Sequence, residues 1–288
     1  MPRTAAPPTT EGRRRRTWRD PGLIVGGLIV ATMVLTALLA EAVAPYGPRE
    51  MNFHRSLEPP SADHWLGTDE LGRDILSRLI FGARASLAVG IGSALMAAVL
   101  GTSIGVAAAY VGGRLDTLLM RVMDVFFAFP AILLALTLVV VLGTSQRNII
   151  LALGIIYMPQ FARVARASTL SVKGEPYVEA ARAVGCRDLR LIARHLLPNI
   201  ASPVIVQTTV SVAFAILAEA GLSFVGLGIQ PPDPSWGAML NTGKIYLEQL
   251  PHLTVFPGLF IMLAVLGFNL LGDGLRDLAD PQSRGRAR

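Results

Sequence analysis

The chain has 288 residues, of which 52% are hydrophobic and only 16% are charged. An average soluble domain carries about 25% charged residues, so this composition excludes an ordinary water-soluble domain and favours lipid as the surrounding solvent. The net charge is +6, and the single cysteine, Cys186, excludes an internal disulfide and a cysteine metal cluster.

Intervals between charged residues predict six membrane-spanning helices, because about 20 apolar residues are needed to cross the hydrocarbon core. The fourth interval is short, and it reaches full length only if Arg163 and Arg166 extend to the membrane interface. The predicted spans are residues 22–44, 85–113, 125–146, 148–162, 200–228 and 253–272.

A cleavable signal is the alternative interpretation of the first span, since Arg13 to Arg16 precede an apolar run and residues 42–44 resemble a cleavage site. The apolar run exceeds the roughly 15 residues of a signal, which favours a retained helix. Most of the 26 basic residues lie in segments that are cytoplasmic if the amino terminus is inside. Both termini are therefore predicted to be cytoplasmic. The arginine run then anchors the chain to anionic lipid, and no nucleic-acid partner is expected.

The longest predicted cytoplasmic connection, residues 171–199, begins with a short helix. Pro176 suits a first helical turn, Glu179 places a negative charge near the positive end of that helix, and Gly185 supplies a stop with positive φ. This pattern predicts a helix of about two turns.

A second amphipathic helix is predicted from Asp188 to the fifth span, where Pro198 would end it. By composition alone, such a pair is also typical of a hairpin lying in the membrane interface. The apolar face of the second helix is predicted to consist of Leu189, Ile192 and Leu196.

The same connection carries a spaced motif: Glu-Ala-Ala, three residues, Gly, nine residues, His, and Leu-Pro two and three positions further. This segment resembles the coupling loop of ABC importer permeases. In that family the first short helix docks in a cleft of a cytoplasmic ATPase, which is helix-in-groove recognition. The resemblance implies that the ATPase-coupling residues are Glu179, Ala180, Ala181, Gly185, His195, Leu197 and Pro198.

Residues 64–87, ahead of the second span, predict a short amphipathic helix at the outer interface. Leu71, Ile75 and Leu79 recur every four residues, and Asp74 with Arg78 has the spacing of a helical ion pair. The stretch also resembles the signature that opens the core of the second permease subunit in dipeptide and oligopeptide importers.

Three further segments, residues 121–130, 219–237 and 269–281, resemble the same subfamily, so that the resemblance covers nearly everything after about residue 20. The polar loop 230–252 is predicted to rim the outer mouth, where contact with a substrate-binding protein is a hypothesis. The candidate outer-mouth residues are Trp65, Asp69, Arg73, Asp74 and Trp236.

Glu219 lies inside the fifth predicted span, where a carboxylate is costly unless it faces protein or water. Two roles remain open: a structural bridge to another helix or to the partner permease, and a residue of the pathway or gate. Pro130, Pro159, and Gly101 with Gly105 mark either hinges or close helix packing, and packing is the default interpretation.

The resemblance implies an all-α integral membrane protein with six transmembrane helices and a cytoplasmic coupling loop, the type I ABC importer permease fold. The implied location is the bacterial inner (cytoplasmic) membrane, crossed several times. The expected segments are a basic cytoplasmic tail 1–21, a first span 22–44, an extracytoplasmic segment 45–84, a five-helix core 85–275 and a cytoplasmic tail 276–288.

The implied function is to form, with a second homologous permease, a translocation pathway for dipeptides or oligopeptides. Cytoplasmic ATPase subunits would drive the pathway, and an extracytoplasmic substrate-binding protein would supply it. Import of nickel or glutathione by the same architecture is an alternative. A self-contained channel or secondary transporter is a second alternative, but it would have no use for an ATPase-docking loop.

The chain itself is not expected to be an enzyme. A phosphate-binding loop needs a glycine, four residues, then Gly-Lys-Ser/Thr. Lys244 is followed by Ile245, and Ala238 stands where the first glycine would fall. No cofactor is therefore expected on this chain, and the resemblance assigns ATP and Mg²⁺ to the partner ATPase.

Overall fold

The computed structural model describes residues 21–279. The Arg13 to Arg16 run and the greater part of both predicted tails lie outside these residues. Within them the regular structure is helical, apart from one isolated β-bridge between Thr68 and Asp74. The α-helices are α1 Pro21–Leu38, α2 Ala40–Val43, α3 Ile75–Val111, α4 Gly113–Phe127, α5 Ala131–Leu142, α6 Gln146–Lys173, α7 Pro176–Ala183, α8 Asp188–Leu191, α9 Leu197–Phe224, α10 Trp236–Gly243 and α11 His252–Ala279.

Among residues 21–279, five helical rods are long and apolar enough to cross a membrane. They are α1, α3, α6, α11, and the continuous run Asp188–Phe224, in which a π-helical turn at Ile192–Leu196 joins α8 to α9. Helices α4 and α5 together make the sixth candidate. The expected all-α architecture with six spans is therefore present, with one span broken.

The third predicted span is wrong as a single helix. Helices α4 and α5 meet at an angle of 89°, and α5 has only 12 residues. Pro130 explains the break, because proline lacks an amide hydrogen and forces the preceding residue out of helical conformation. Packing was the wrong default for Pro130, whereas Pro159 lies inside the continuous helix α6.

Several other spans are longer than predicted, among them α3 and α6. Helix α3 begins at Ile75, ten positions before the predicted start, and α6 extends over Gln146–Lys173. The arginines of α6 contact neighbouring acids: Arg163 lies 2.8 Å from Asp124, and Arg166 lies 2.5 Å from Asp116. Because these acids belong to α4, the two ion pairs attach the first arm of the bent pair to α6.

Close packing joins α3 to α6. A Cβ atom built at Gly101 would lie 2.6 Å from Cβ of Phe161, and one at Gly105 would overlap the carbonyl oxygen of Ala162. Small residues at these two positions let the helix backbones touch. The packing interpretation of this glycine pair is confirmed.

The main core is formed by residues of α1, α3, α9, α10 and α11. We call the end of the bundle that carries residues 171–199 the loop end, and the opposite end, where α3 begins, the far end. The indole of Trp236 is fully buried at the far end, donates a hydrogen bond to the carbonyl oxygen of Leu79 at 3.0 Å, and packs on Phe260. Trp236 therefore holds α10 against the transmembrane helices.

Candidate functional site

The first helix of the coupling loop forms as the sequence predicts. Helix α7 has eight residues with Pro176 in its first turn, and Gly185 has φ +83°. The amide of Gly185 donates to the carbonyl oxygen of Arg182 at 3.0 Å, and that of Cys186 donates to Ala181 at 3.1 Å. These bonds occupy carbonyls at the end of α7, so Gly185 closes the helix and turns the chain.

The second predicted helix does not end at Pro198. Pro198 lies at the start of α9, directly after the π turn in which the amide of Leu197 donates to the carbonyl oxygen of Ile192, and the helical run continues through it. The predicted apolar face is wrong at Leu189, which is 82% exposed, whereas Leu196 is buried and Ile192 packs on the loop core. A π turn follows α8, and the wider period of that turn breaks the uniform spacing that the prediction assumed.

The coupling loop has a small core of its own. Val178 of α7, Leu191 of α8 and Leu196 of the π turn are buried together. Val172 of α6 and Tyr110 of α3 pack against them. The loop is thus a folded unit seated on the loop end of α3 and α6.

The residues of the spaced motif lie on two sides of this unit. Glu179 and Ala180 are exposed on α7, and Ala181 is half-buried against the loop core. His195 is half-buried, with its ring 6.4 Å from that of Tyr177. The remaining motif residues, Leu197 and Pro198, are exposed at the start of α9, so the structure does not bring them beside α7.

A charged cluster occupies the far end of α3. The carboxylate of Asp69 accepts a hydrogen bond from Nε of Arg73 at 2.7 Å. The same carboxylate lies 3.3 Å from Nε of Arg78. Asp74 caps α3 by accepting from the amide of Ser77 at 2.7 Å. The predicted pair of Asp74 with Arg78 is therefore wrong, because capping commits Asp74 to the helix N-terminus.

The predicted amphipathic helix over residues 64–87 is wrong for its first part. Gly67 and Gly72 have φ of +82° and +69°, which a regular helix does not accommodate, and helix begins only after the cap. His64 is buried, with Nδ1 3.0 Å from Asp74. Trp65 is 70% exposed, whereas the other candidate outer-mouth residues, Asp69, Arg73, Asp74 and Trp236, are buried.

Glu219 is completely buried in α9. Its carboxylate accepts from the hydroxyl of Ser223 at 2.7 Å and from the hydroxyl of Ser86 of α3 at 3.3 Å. Ser86 in turn accepts from the backbone amide of Trp236 at 3.2 Å. Glu219 thus connects α9, α3 and the start of α10, the geometry of a structural bridge.

Comparison with known proteins identifies the family of this chain. Residues 101–285 match the model described as binding-protein-dependent transport system inner membrane component, which is more than half of the chain. The chain belongs to this family. Residues 13–60 also match the N-terminal transmembrane domain of oligopeptide transport permease C. Together the two matches identify a permease subunit of the dipeptide and oligopeptide type, a multi-pass component of the inner membrane.

Relatives of this inner membrane component align with it over nearly their full length. The glutathione transport system permease protein GsiD of Pectobacterium atrosepticum is 44% identical over 93% of this chain and 89% of its own. The dipeptide transport system permease protein DppC of Alkalihalophilus pseudofirmus is 43% identical over 91% of this chain and 86% of its own. The chain is accordingly a permease of a binding-protein-dependent ABC importer.

The fold of this permease also matches a solved transporter. An inward facing structure of the MetNI methionine ABC transporter superposes with a TM-score of 0.59, covering 72% of this chain and 98% of the matched chain at 19% identity. At that identity the likeness concerns the fold alone, and it confirms the ABC importer permease architecture expected from the sequence.

Sequence reasoning missed part of the exposed face of the coupling loop in this permease. Val184 is 85% exposed beside Gly185, and Leu189 stands out from the start of α8. Four arginines of the loop are also exposed. A helix of only two turns has too few positions for its outward residues to be assigned by periodicity, so no sequence signal identified Val184. The exposed arginines of the loop are Arg182, Arg187, Arg190 and Arg194.

Proposed function

We propose that this permease pairs with a second, homologous permease and that the two form a pathway for small peptides. Two relatives are named for dipeptide and glutathione transport, and glutathione is itself a small peptide. The N-terminal match to an oligopeptide permease supports the same substrate class. Dipeptides, oligopeptides and glutathione share backbone amides and charged termini, so one pathway chemistry serves all three.

The exposed surface of α4 supports pairing with another permease. Val122 and Val125 are exposed, but so is the charged Arg121 on the same helix, whereas Asp124 pairs with Arg163 of α6. Charged side chains are costly against lipid, and they favour a protein or water-lined neighbour. We infer that the second permease or the pathway between the two subunits covers this helix.

The exposed surface of the coupling loop supports the proposal that ATP hydrolysis by a partner drives this permease. Glu179, Ala180 and Val184 form an exposed, narrow ridge along α7, and a short helix of this kind fits a groove on another protein. We propose that a cytoplasmic ATPase receives this ridge, and that His195, Leu197 and Pro198 fix the return of the chain into α9. In this scheme the ATPase binds ATP and Mg²⁺, and this chain binds neither.

The far end of the bundle is the proposed extracytoplasmic side. An external substrate-binding protein would meet the exposed Trp65 and the exposed residues that flank α10 within 230–252, and the buried pairs of Asp69, Arg73 and Asp74 would keep that surface rigid. Both termini then lie in the cytoplasm, as the distribution of arginines favours.

Uptake measurements test the substrate class. Cells with and without this chain should be given labelled dipeptide, glutathione or nickel, each at the same concentration. We expect peptide or glutathione uptake to fall to background without the chain and to return when the chain is restored, while nickel uptake stays constant. Loss of nickel uptake alone would show a metal importer instead.

Co-purification tests the assembly. In mild detergent, the tagged chain should bring down one further permease and a cytoplasmic ATPase. Self-association without an ATPase would instead indicate a channel or a secondary transporter.

A further inference from the structure

The coupling loop is joined to the membrane helices by the chain at only two points. It leaves α6 through a turn at Gly174 and enters α9 through the π turn at Ile192–Leu196. Helix α3 has no chain connection to the loop, yet it ends beside it. Val106 of α3 belongs to a buried cluster against which Ile192 of the π turn packs, and Tyr110, the penultimate residue of α3, contacts the short helices of the loop.

The side chain of Tyr110 touches both helices of the loop. Its hydroxyl donates a hydrogen bond to the carboxylate of Asp188, the first residue of α8. The guanidinium carbon of Arg182 in α7 lies 5.7 Å from the centre of the ring, within the range of a cation–π contact. The ring also packs on the loop core of Val178, Leu191 and Leu196.

The backbone at Tyr110 is held from the other side. Nζ of Lys173, the last residue of α6, donates to the carbonyl oxygens of Ala109 at 3.1 Å and of Tyr110 at 2.7 Å. A cation at a helix C-terminus interacts favourably with the exposed carbonyls there. Because Gly101 and Gly105 bring α3 and α6 into backbone contact, Tyr110 stands on a stiff pair of helices.

We propose that Tyr110 is a positioning residue that fixes the orientation of the coupling loop relative to the α3–α6 pair. The chain itself ties the loop only to α6 and α9, whereas the contact at Tyr110 adds a restraint from a third, separate helix. This inference depends on the proposed docking of an ATPase to the loop. Motion imposed on α7 by the ATPase then moves α3, which at about 1.5 Å per residue extends roughly 55 Å to the far end.

The test is the number of peptides imported per ATP hydrolysed by the complete importer in proteoliposomes. Tyr110→Phe keeps the ring and removes only the hydroxyl, and Asp188→Ala removes the acceptor from the loop side. We expect each substitution to lower this ratio about threefold to tenfold, the range set by one hydrogen bond, while the complex still assembles. The double variant should be no worse than the single variants, because both remove the same bond.

Tyr46→Phe is the matched control. The hydroxyl of Tyr46 donates to the carbonyl oxygen of Asp63 at 3.0 Å, at the far end and remote from the loop. Its loss should leave the ratio at the wild-type value. A general loss of folding would lower transport and ATP hydrolysis together and would leave the ratio unchanged.

A wild-type ratio for Tyr110→Phe and Asp188→Ala would overturn the proposal, as would losses that multiply in the double variant. Failure of the proposed function looks different. In that case the wild-type chain itself forms no complex with an ATPase, or ATP hydrolysis does not respond to peptide.

Discussion

Gly185 is the residue at which backbone conformation bears most directly on the proposed function. Its φ of +83° is one that L side chains rarely adopt, and a Cβ built there meets no atom within 4 Å. A substitution therefore strains the backbone without disturbing packing. We expect Gly185→Val to shift the end of α7 and to uncouple ATP hydrolysis from transport, measured as peptide import per ATP in proteoliposomes.

Gly174 supplies a control for that experiment. It lies in the same loop and is exposed, but its φ is −82°, which valine tolerates. Gly174→Val should transport at close to the wild-type rate. Wild-type transport by Gly185→Val at equal expression would show that the turn at Gly185 is not part of a coupling joint.

Substitutions of Glu219 distinguish the two roles that the sequence left open, a structural bridge and a residue of the pathway or gate. Replacement by leucine leaves the hydroxyl of Ser223 without its buried acceptor, at a cost of about 1–3 kcal/mol, so Glu219→Leu should lower the unfolding temperature of the purified complex. Glu219→Gln should remain near the wild type, because the amide still offers one oxygen and the serine hydroxyls can reverse their hydrogen bonds. Loss of transport by a stably assembled Glu219→Gln complex would favour a gate that needs the charge.

At the scale of elements, Trp236 determines how α10 attaches to the bundle. Trp236→Ala should destabilise the protein by about 3–5 kcal/mol. Trp236→Phe should destabilise it by less, since an aromatic ring still fills part of the site but the hydrogen bond to Leu79 is lost. Thermal unfolding in detergent measures both. Trp65→Ala is the control, because that side chain is 70% exposed and its removal should change stability by no more than about 0.5 kcal/mol.

The sequence predicted elements best where one physical rule acts alone. Charge-free length located the long rods, because an apolar helix must cover the hydrocarbon core, and proline and glycine placed the ends of α7. The rule of charge-free length missed the bend at Pro130, since counting charges ignores backbone geometry. It also misplaced the start of α3, where Asp74 acts as a cap and not as a partner of Arg78.

The candidate site was predictable only in its local part. The spacing from Glu179 to Gly185 belongs to one short segment, so its helix and turn followed from nearby residues. The contact of Tyr110 with Asp188 joins residues 78 positions apart. Such a contact depends on how α3 and α6 pack, and no local pattern in the sequence records it.

At the scale of the whole molecule, orientation is the property to test. Because Cys186 is the only cysteine, a Cys186→Ser background allows single cysteines to be placed at the exposed Trp65 and Arg114. We expect a membrane-impermeant thiol reagent to label Trp65→Cys in intact spheroplasts and Arg114→Cys only after permeabilisation. The opposite labelling would invert the proposed topology and place the coupling loop outside the cell.

The short second arm of the bent pair bears on how the subunit sits in a bilayer. With 12 residues, α5 is about 18 Å long at 1.5 Å per residue, well below the roughly 30 Å of a hydrocarbon core. If α5 faced lipid alone, its length would fall short of the hydrocarbon core, the situation termed hydrophobic mismatch. The proposed second permease, placed beside α5, would relieve this mismatch.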